Sequence, residues 1–545
     1  MTNKLRIRTI FAMIIAIALV AATFAGCADS TSAPQDSAQP NSEPSGGESD
    51  ATETENIDKD KVVIASSSEP TAFFCQDSTI VTSNGKDGMM LMQIYETLYC
   101  FDYDGTIKPR LATDCEVSAD GLEYTVGIRD DVTFHNGEKM TAEDVAFTFS
   151  LCLEKNKTHS GTMLINMQSC EVVDDTHVKF TLKAPFAAFL NTLTTRAGNI
   201  ISKKYYEEVG TEGYNEHPIG TGAYKYVSRV SGQEVILEAY EGYRDGEAPI
   251  KNVVIRPISN VSTQFISLKS GDVDVINGAD TASCMQIEAD SIATWTSAVA
   301  GAMDVMRLNT RPACNSALKD DTNLRLAIAS AINKEEILYG AAANNGDILD
   351  CDSLSWYTGQ PDPGTYTTVP YDVKKAKEYL AASSFDTSKN LKAVVQSGTR
   401  EEKIMQIIQG QLYEIGLNID IVAADSGTMT ATWNSGDYDL LLRSETSSLA
   451  DASNLKVNFG TNGTRGANFD PEEQAWFDDM LARSEQELDD EARKALIAEI
   501  HSRIGEMAYC VPLINPRGTI AYNKGLQGVT MNPIGFYRIC DWSWQ

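Results

Sequence analysis

Histidine is almost missing from this chain: five occur in 545 residues, at 135, 159, 177, 217 and 501. None sits in a recognisable triad setting, and neither a Gly-x-Ser-x-Gly elbow nor a His-Glu-x-x-His pair is present. Those absences count against a surface hydrolase, whose chemistry needs a general base or metal ligands at such spacings. Cysteine occurs eleven times but never as Cys-x-x-Cys, so the common zinc spacings are missing too. Positive charge is short, with 45 Lys and Arg against 76 Asp and Glu and a net charge of −31. So acidic a surface suits neither nucleic acid nor an anionic membrane face. Gly220-Thr221-Gly222 lacks the third, helix-opening glycine of a dinucleotide fingerprint. Asp102-Tyr103-Asp104-Gly105 offers two carboxylates beside a glycine, but no further oxygen ligands follow at calcium-loop spacing. No metal, cofactor or catalysis is expected.

Long hydrophobic runs are equally scarce. The apolar stretch from residue 10 to 22 follows Lys4, Arg6 and Arg8 and ends at Thr23-Phe24-Ala25-Gly26-Cys27. It is shorter than the roughly 20 residues a membrane span needs, and it fits a signal peptide over residues 1–26. The small pair before Cys27 resembles a bacterial lipobox, which implies lipidation of that cysteine. Residues 27–60 contain no aromatic side chain and are rich in Ser, Pro, Glu and Asp, a composition that predicts a disordered tether. The ten later cysteines permit disulfides outside the cell without requiring them. Cys152, for example, falls on an apolar helix face, where a thiol packs as a small hydrophobe.

What is abundant is a body with 42% hydrophobic residues, enough for several domains or one large multi-lobed unit. Its most informative stretch is 120–153. Leu122, Tyr124, Val126 and Ile128 alternate with polar positions and predict a half-buried strand. Asn136-Gly137 predicts a tight turn. Thr141 and Asp144 form a capping pair ahead of Val145, Phe149 and Cys152 at helical spacing. The run Asp-Gly-x-x-Tyr-Thr, the Phe134-His135-x-Gly turn and Thr141-Ala142-Glu143-Asp144-Val145 together resemble the signature of the family 5 solute-binding proteins of peptide and nickel ABC importers. Gly127 and Asn136 are mild departures from that pattern. Tyr95-Glu96-Thr97-Leu98, Pro218-Ile219-Gly220-Thr221-Gly222-Ala223-Tyr224, the helix of Leu324 to Ile337 and Ile415-Gly416-Leu417 continue the likeness, which covers about 61–545.

The resemblance implies an α/β, two-lobed periplasmic-binding-protein fold of type II with an extra subdomain. The expected parts are a first lobe of 61–96, 221–310 and 511–545, an inserted subdomain of 97–220, and a second lobe of 311–510. The chain would cross between lobes near Arg307 to Pro312 and return near Tyr509 to Asn515. The implied function is capture of a short peptide or peptide-like zwitterion by lobe closure, for delivery to an ABC permease. The protein would be monomeric and extracytoplasmic, held to the membrane through a lipid on Cys27. A nickel or metal-chelate receptor, a surface peptide sensor and a hydrolase are the alternatives, in that order.

Ligand choice is expected from particular positions. Ser67 and Ser68, in a polar corner after the first strand, line the cleft in the resembling family. In the segment 436–451, Glu445 stands where the family usually has tryptophan, and Ser448 where an aspartate takes a peptide's amino terminus. Asp451 matches a later, more structural position. Alternation puts Arg443 and Glu445 on one strand face. Either they pair with each other on an exposed edge, or they face the cleft and hold a ligand's carboxylate and ammonium. Thr446 lies next to them, and Phe73, Trp356, Trp433 and Tyr537 are the candidate cleft aromatics.

Overall fold

A computed structural model of the chain describes residues 58–74, 76, 86–154, 164–288, 293–447, 449–461, 463 and 469–545. The expected signal peptide, Cys27 and nearly all of the tether, together with Ser448, lie outside the described residues.

Two large sheets organise the body. The first has seven strands, in the order Ala293–Ala298, Gly518–Asn523, Val275–Asn277, Lys61–Ser66, Asn252–Pro257, Glu234–Ala239 and Tyr224–Val230. Its central strand, Lys61–Ser66, runs parallel to both neighbours. Val62 and Ile64 pack on one side of it, with Tyr224 and Leu237. Val63 and Ala65 pack on the other, with Phe265 and Leu268. Burial on both faces explains why this strand reads as a continuous apolar run rather than an alternating one.

The second sheet has six strands, in the order Gly346–Ile348, Cys510–Pro516, Ala302–Leu308, Leu440–Thr446, Asn390–Gln396 and Asn418–Ala424. Helices Thr322–Ala331 and Arg400–Glu414 cover one face, through Leu324, Ile328, Ile404, Ile408 and Leu412. The chain leaves the first sheet after Ala298 and enters the second at Ala302. It returns between Pro516 and Gly518. Both crossings lie outside the stretches expected from the sequence, because Arg307 and Tyr509 to Asn515 are already engaged in or beside the second sheet. Asn515 ties the crossings together, donating from Nδ2 to the carbonyls of Ala300 and Ala302 at 2.7 and 2.5 Å.

A third sheet of four strands, Ala112–Val117, Glu123–Ile128, His177–Leu182 and Met167–Asp174, carries the signature stretch. Tyr124, Val126 and Ile128 are buried against Phe149 and Phe180. Gly127 has a local cause: a Cβ there would strike the Thr113 hydroxyl and the Asp114 carboxylate. Helix Ala142–Glu154 begins with the reciprocal cap, Thr141 N–H donating to Asp144 Oδ2 at 2.9 Å and Asp144 N–H to Thr141 Oγ1 at 3.4 Å. His135 joins this sheet to the Gly220-Thr221-Gly222 turn. Its Nδ1 accepts the Gly220 N–H at 3.3 Å, and its Nε2 lies 2.9 Å from the Gly222 carbonyl.

Residues 97–220 also touch the second lobe. Asn191 donates from Nδ2 to the carbonyls of Leu449 and Ala450 and to Thr358 Oγ1. The Ala187 N–H reaches the Glu485 carbonyl at 2.8 Å, and Phe101 packs with Leu349, Leu354 and Tyr357. The inserted region and the second lobe are therefore in direct contact along this side.

Candidate functional site

Between the lobes lies a cleft of about 420 Å³. One wall is the helix Lys86–Ile94, whose Leu91 and the following Tyr95 present apolar surface. The hairpin of Tyr99–Phe101 and Ile107–Pro109 adds Phe101, Asp102 and Tyr103. Thr194 to Arg196 come from the inserted region, Asn532 to Arg538 from the C-terminal segment, and Ala300 to Ala302 from the crossing. From the second lobe, Thr446 and Ser447 close the far side at the end of strand Leu440–Thr446.

The cleft floor is a buried ion cluster. Glu96 accepts from Arg110 Nε at 2.7 Å, from Arg244 Nη1 and Nη2 at 2.5 and 2.9 Å, from Tyr243 Oη at 3.2 Å and from Thr221 Oγ1 at 3.1 Å. Burial alone would push the Glu96 carboxyl up, but Arg110 and Arg244 outweigh it and hold the group below the ordinary carboxylate value. Arg538 lies 3.4 Å from Asp541, and Tyr103 donates its hydroxyl to the same aspartate at 2.7 Å. Asp102 stands exposed at the rim, its Oδ1 accepting the Tyr103 N–H at 2.8 Å.

Of the residues expected from the sequence, Thr446 and Tyr537 line this cleft. Tyr537 is otherwise part of the first lobe's core. Trp356 packs at the seam between lobes, edge-on to Phe101 with ring centres 6.1 Å apart. Phe73 stands behind the wall: its carbonyl accepts the Tyr95 hydroxyl at 2.9 Å. Ser67 and Ser68 are not among the residues around the cleft. Their corner is fixed instead by Ser66 Oγ donating to the Ser68 carbonyl and by the Glu69–Arg229 ion pair at 2.7 Å.

Segment 436–451 departs most from expectation. Glu445 is completely buried, its two oxygens taken by Arg307 Nε at 3.0 Å and Nη2 at 2.5 Å and by Asn458 Nδ2 at 3.2 Å. That rules out an exposed pair with Arg443 and leaves Glu445 no surface for a ligand's ammonium. Arg443 does share its strand face, but its guanidinium lies over the Trp433 ring, 5.5 Å from the centre. Trp433 is itself core, stacked on Tyr438 beside Met429 and Leu441. Asp451 is buried and held by Arg493 Nη1 and Nη2 at 3.0 and 2.6 Å. The sequence missed Arg110, Arg196 and Arg538. They come from three distant segments, and no local motif marks them.

Residues 106–467 match the family model of bacterial extracellular solute-binding proteins, family 5, middle region. The chain belongs to that family. This family 5 protein is 26% identical over 490 residues to a di/tripeptide-binding protein of Pseudomonas aeruginosa, covering 81% of this chain and 87% of that one. It is 25% identical to heme-binding protein A of Haemophilus influenzae, covering 95% and 97%. Its fold matches the crystal structure of an ABC transporter substrate-binding protein from Listeria monocytogenes with a TM-score of 0.80, at 22% identity over 89% of this chain and 99% of that one. The two-lobed α/β architecture expected from the sequence is thereby borne out. Among the described residues no helix is long and apolar enough to cross a membrane, and no group of three His, Cys, Asp or Glu side chains could hold a metal ion.

Proposed function

We propose that this chain is the solute-capturing component of an ABC importer and that it holds a short peptide or peptide-like zwitterion in the cleft between its lobes. The observation that carries this reading is the cleft itself, lined from both lobes and within the roughly 300–1,000 Å³ usual for small-molecule sites. A ligand touching Tyr95 and Arg110 on one side and Thr446 on the other favours the closed arrangement over an open one, and a permease can read that difference. Asp102 at the rim is the carboxylate placed to meet an ammonium, in the role the sequence assigned to Glu445. The second lobe would comprise about 302–516, with the short links at 299–301 and 517 acting as hinges. The protein acts as a monomer without catalysis, outside the cytoplasm, anchored through lipid on Cys27. The di/tripeptide-binding relative supports the peptide reading, and the heme-binding relative is what favours the metal-chelate alternative.

Native mass spectrometry of the full chain, released in detergent without refolding, tests this reading. A retained peptide mass is expected. A retained chelate mass would transfer the assignment to metal-chelate capture, and conversion of the retained solute to a product would overturn binding without catalysis.

A further inference from the structure

Asn191, on the short helix Phe189–Thr192 of the inserted region, is only 3% exposed, and its side-chain nitrogen is directed at the second lobe. Nδ2 donates to Thr358 Oγ1 and to the Leu449 carbonyl, both at 2.9 Å, and to the Ala450 carbonyl at 3.2 Å. Ala450 has a φ of 50°, left-handed backbone that is unfavourable for a residue with a Cβ and persists only where its surroundings impose it. Those surroundings are buried and polar. The Thr358 N–H donates to the same Ala450 carbonyl at 3.2 Å, Thr358 Oγ1 donates to Asp451 Oδ2, and Arg493 holds both oxygens of Asp451. The joint also reaches both walls of the cleft. Thr194, on one wall, donates from Oγ1 to the Asn191 carbonyl at 2.7 Å, and Ser447, on the other, accepts the Leu449 N–H on its Oγ at 3.3 Å. The lobes cannot part on this side without breaking all the bonds of a buried amide together, which is costly until water replaces them.

We propose that Asn191 is a latch, a positioning residue that holds Thr194 and Ser447 across the cleft from one another and slows the escape of captured solute. The proposal rests on the capture reading given above and names the residue that sets the escape rate. Solute enters before the latch forms and leaves only after it breaks, so the latch acts on dissociation far more than on association.

Hydrogen exchange of the full chain in detergent tests the latch without any ligand. The Ala187 amide donates to the Glu485 carbonyl across the same seam, so its exchange reports opening there. Asn191→Ala removes the donor, and Asn191→Asp keeps the shape but sets a carboxylate against two carbonyls. Exchange at Ala187 is expected to be at least tenfold faster in both, with exchange at Val394, inside the second sheet, unchanged. Thr358→Val removes an acceptor on the other lobe and is expected to act in the same direction. Added to Asn191→Ala it should change the rate by less than twofold, because the two side chains share one bond. Timed dilution followed by native mass spectrometry is expected to show co-purified solute leaving both Asn191 variants at least tenfold faster. Ala187 exchange at the parent rate in Asn191→Ala and in Thr358→Val overturns the latch. Faster exchange with solute lost at the parent rate overturns its role in capture. No solute retained by the parent chain, with exchange still faster in the variants, keeps the latch between the lobes and overturns the capture reading itself.

Discussion

Arg307 Nη2 sits 2.5 Å from Glu445 Oε2, and the same guanidinium spans both oxygens of Asp352 at 2.7 and 2.9 Å. One cation thus serves two buried carboxylates, with Asn458 bridging them. Burial, only partly offset by Arg307, raises the Asp352 carboxyl above its ordinary value. The cluster clamps the loop bearing Asp352 and Trp356 onto the strand that ends at the cleft.

Arg307→Met should therefore destabilise the protein by about 3–5 kcal/mol, the range for stranding buried charge, as measured by urea unfolding of the second lobe. Glu445→Gln keeps the shape and removes one charge. It should leave ligand affinity within about threefold in calorimetric titration, and so should Arg443→Gln. A loss of binding beyond tenfold with unfolding unchanged would show that either residue touches ligand.

Trp356 lies across the seam. A Cβ on Gly105 would already be 3.4 Å from its ring, and Phe101 meets it edge-on. Trp356→Ala removes contacts present in the closed arrangement and absent from an open one. Affinity should fall roughly tenfold, equivalent to about 1.4 kcal/mol, and the solution radius of gyration without ligand should increase. An unchanged radius with unchanged affinity would mean that the seam does not govern closure.

Gly220 and Gly222 turn tightly under the end of the helix that forms the cleft wall. A Cβ on either would fall against the Ile94 carbonyl group, backbone that cannot swing aside. Gly220→Ala should cost about 1–3 kcal/mol, the range for overpacking. It should also shift ligand affinity, because Tyr95 and Glu96 follow directly on Ile94. Thermal melting with and without ligand separates the two effects.

Burial lowers the His135 imidazole to about 4, despite the Gly222 carbonyl that favours the cation. The unfolded chain takes up this proton at an ordinary value near 6.5, the folded chain only near 4. Stability is therefore highest above about pH 6.5 and declines as pH falls toward 4. His135→Gln should flatten the decline in melting temperature across that window while lowering the value at pH 7. An unaltered slope would place the acid sensitivity elsewhere.

Much of the fold was legible because it is locally encoded. The alternation of Tyr124, Val126 and Ile128 and the Thr141/Asp144 cap are written within a few residues, and the family pattern carries the two-lobed architecture. The cleft was not legible in the same way. Arg110, Arg196 and Arg538 come to line one cleft only after the chain has folded, and each alone reads as an ordinary surface cation. Glu445 misled because strand alternation says which face a side chain takes but not which partner waits there. Arg307, 138 positions earlier, had already claimed it. Asp451 follows the same logic through Arg493.

The last stretch of the chain has a consequence for biogenesis. Strand Leu526–Gln527 pairs with Ser543–Trp544, Trp542 is fully buried, and the Trp544 indole donates to the Lys61 carbonyl at 2.8 Å. Strand Gly518–Asn523 supplies an interior position of the first sheet, and Tyr537 and Arg538 supply part of the cleft. Strand Lys61–Ser66 thus depends on residues 518–523 before its sheet is complete. A nascent chain that lacks that segment can neither complete the first lobe nor line the cleft with Tyr537 and Arg538, so binding competence arrives late in synthesis rather than lobe by lobe.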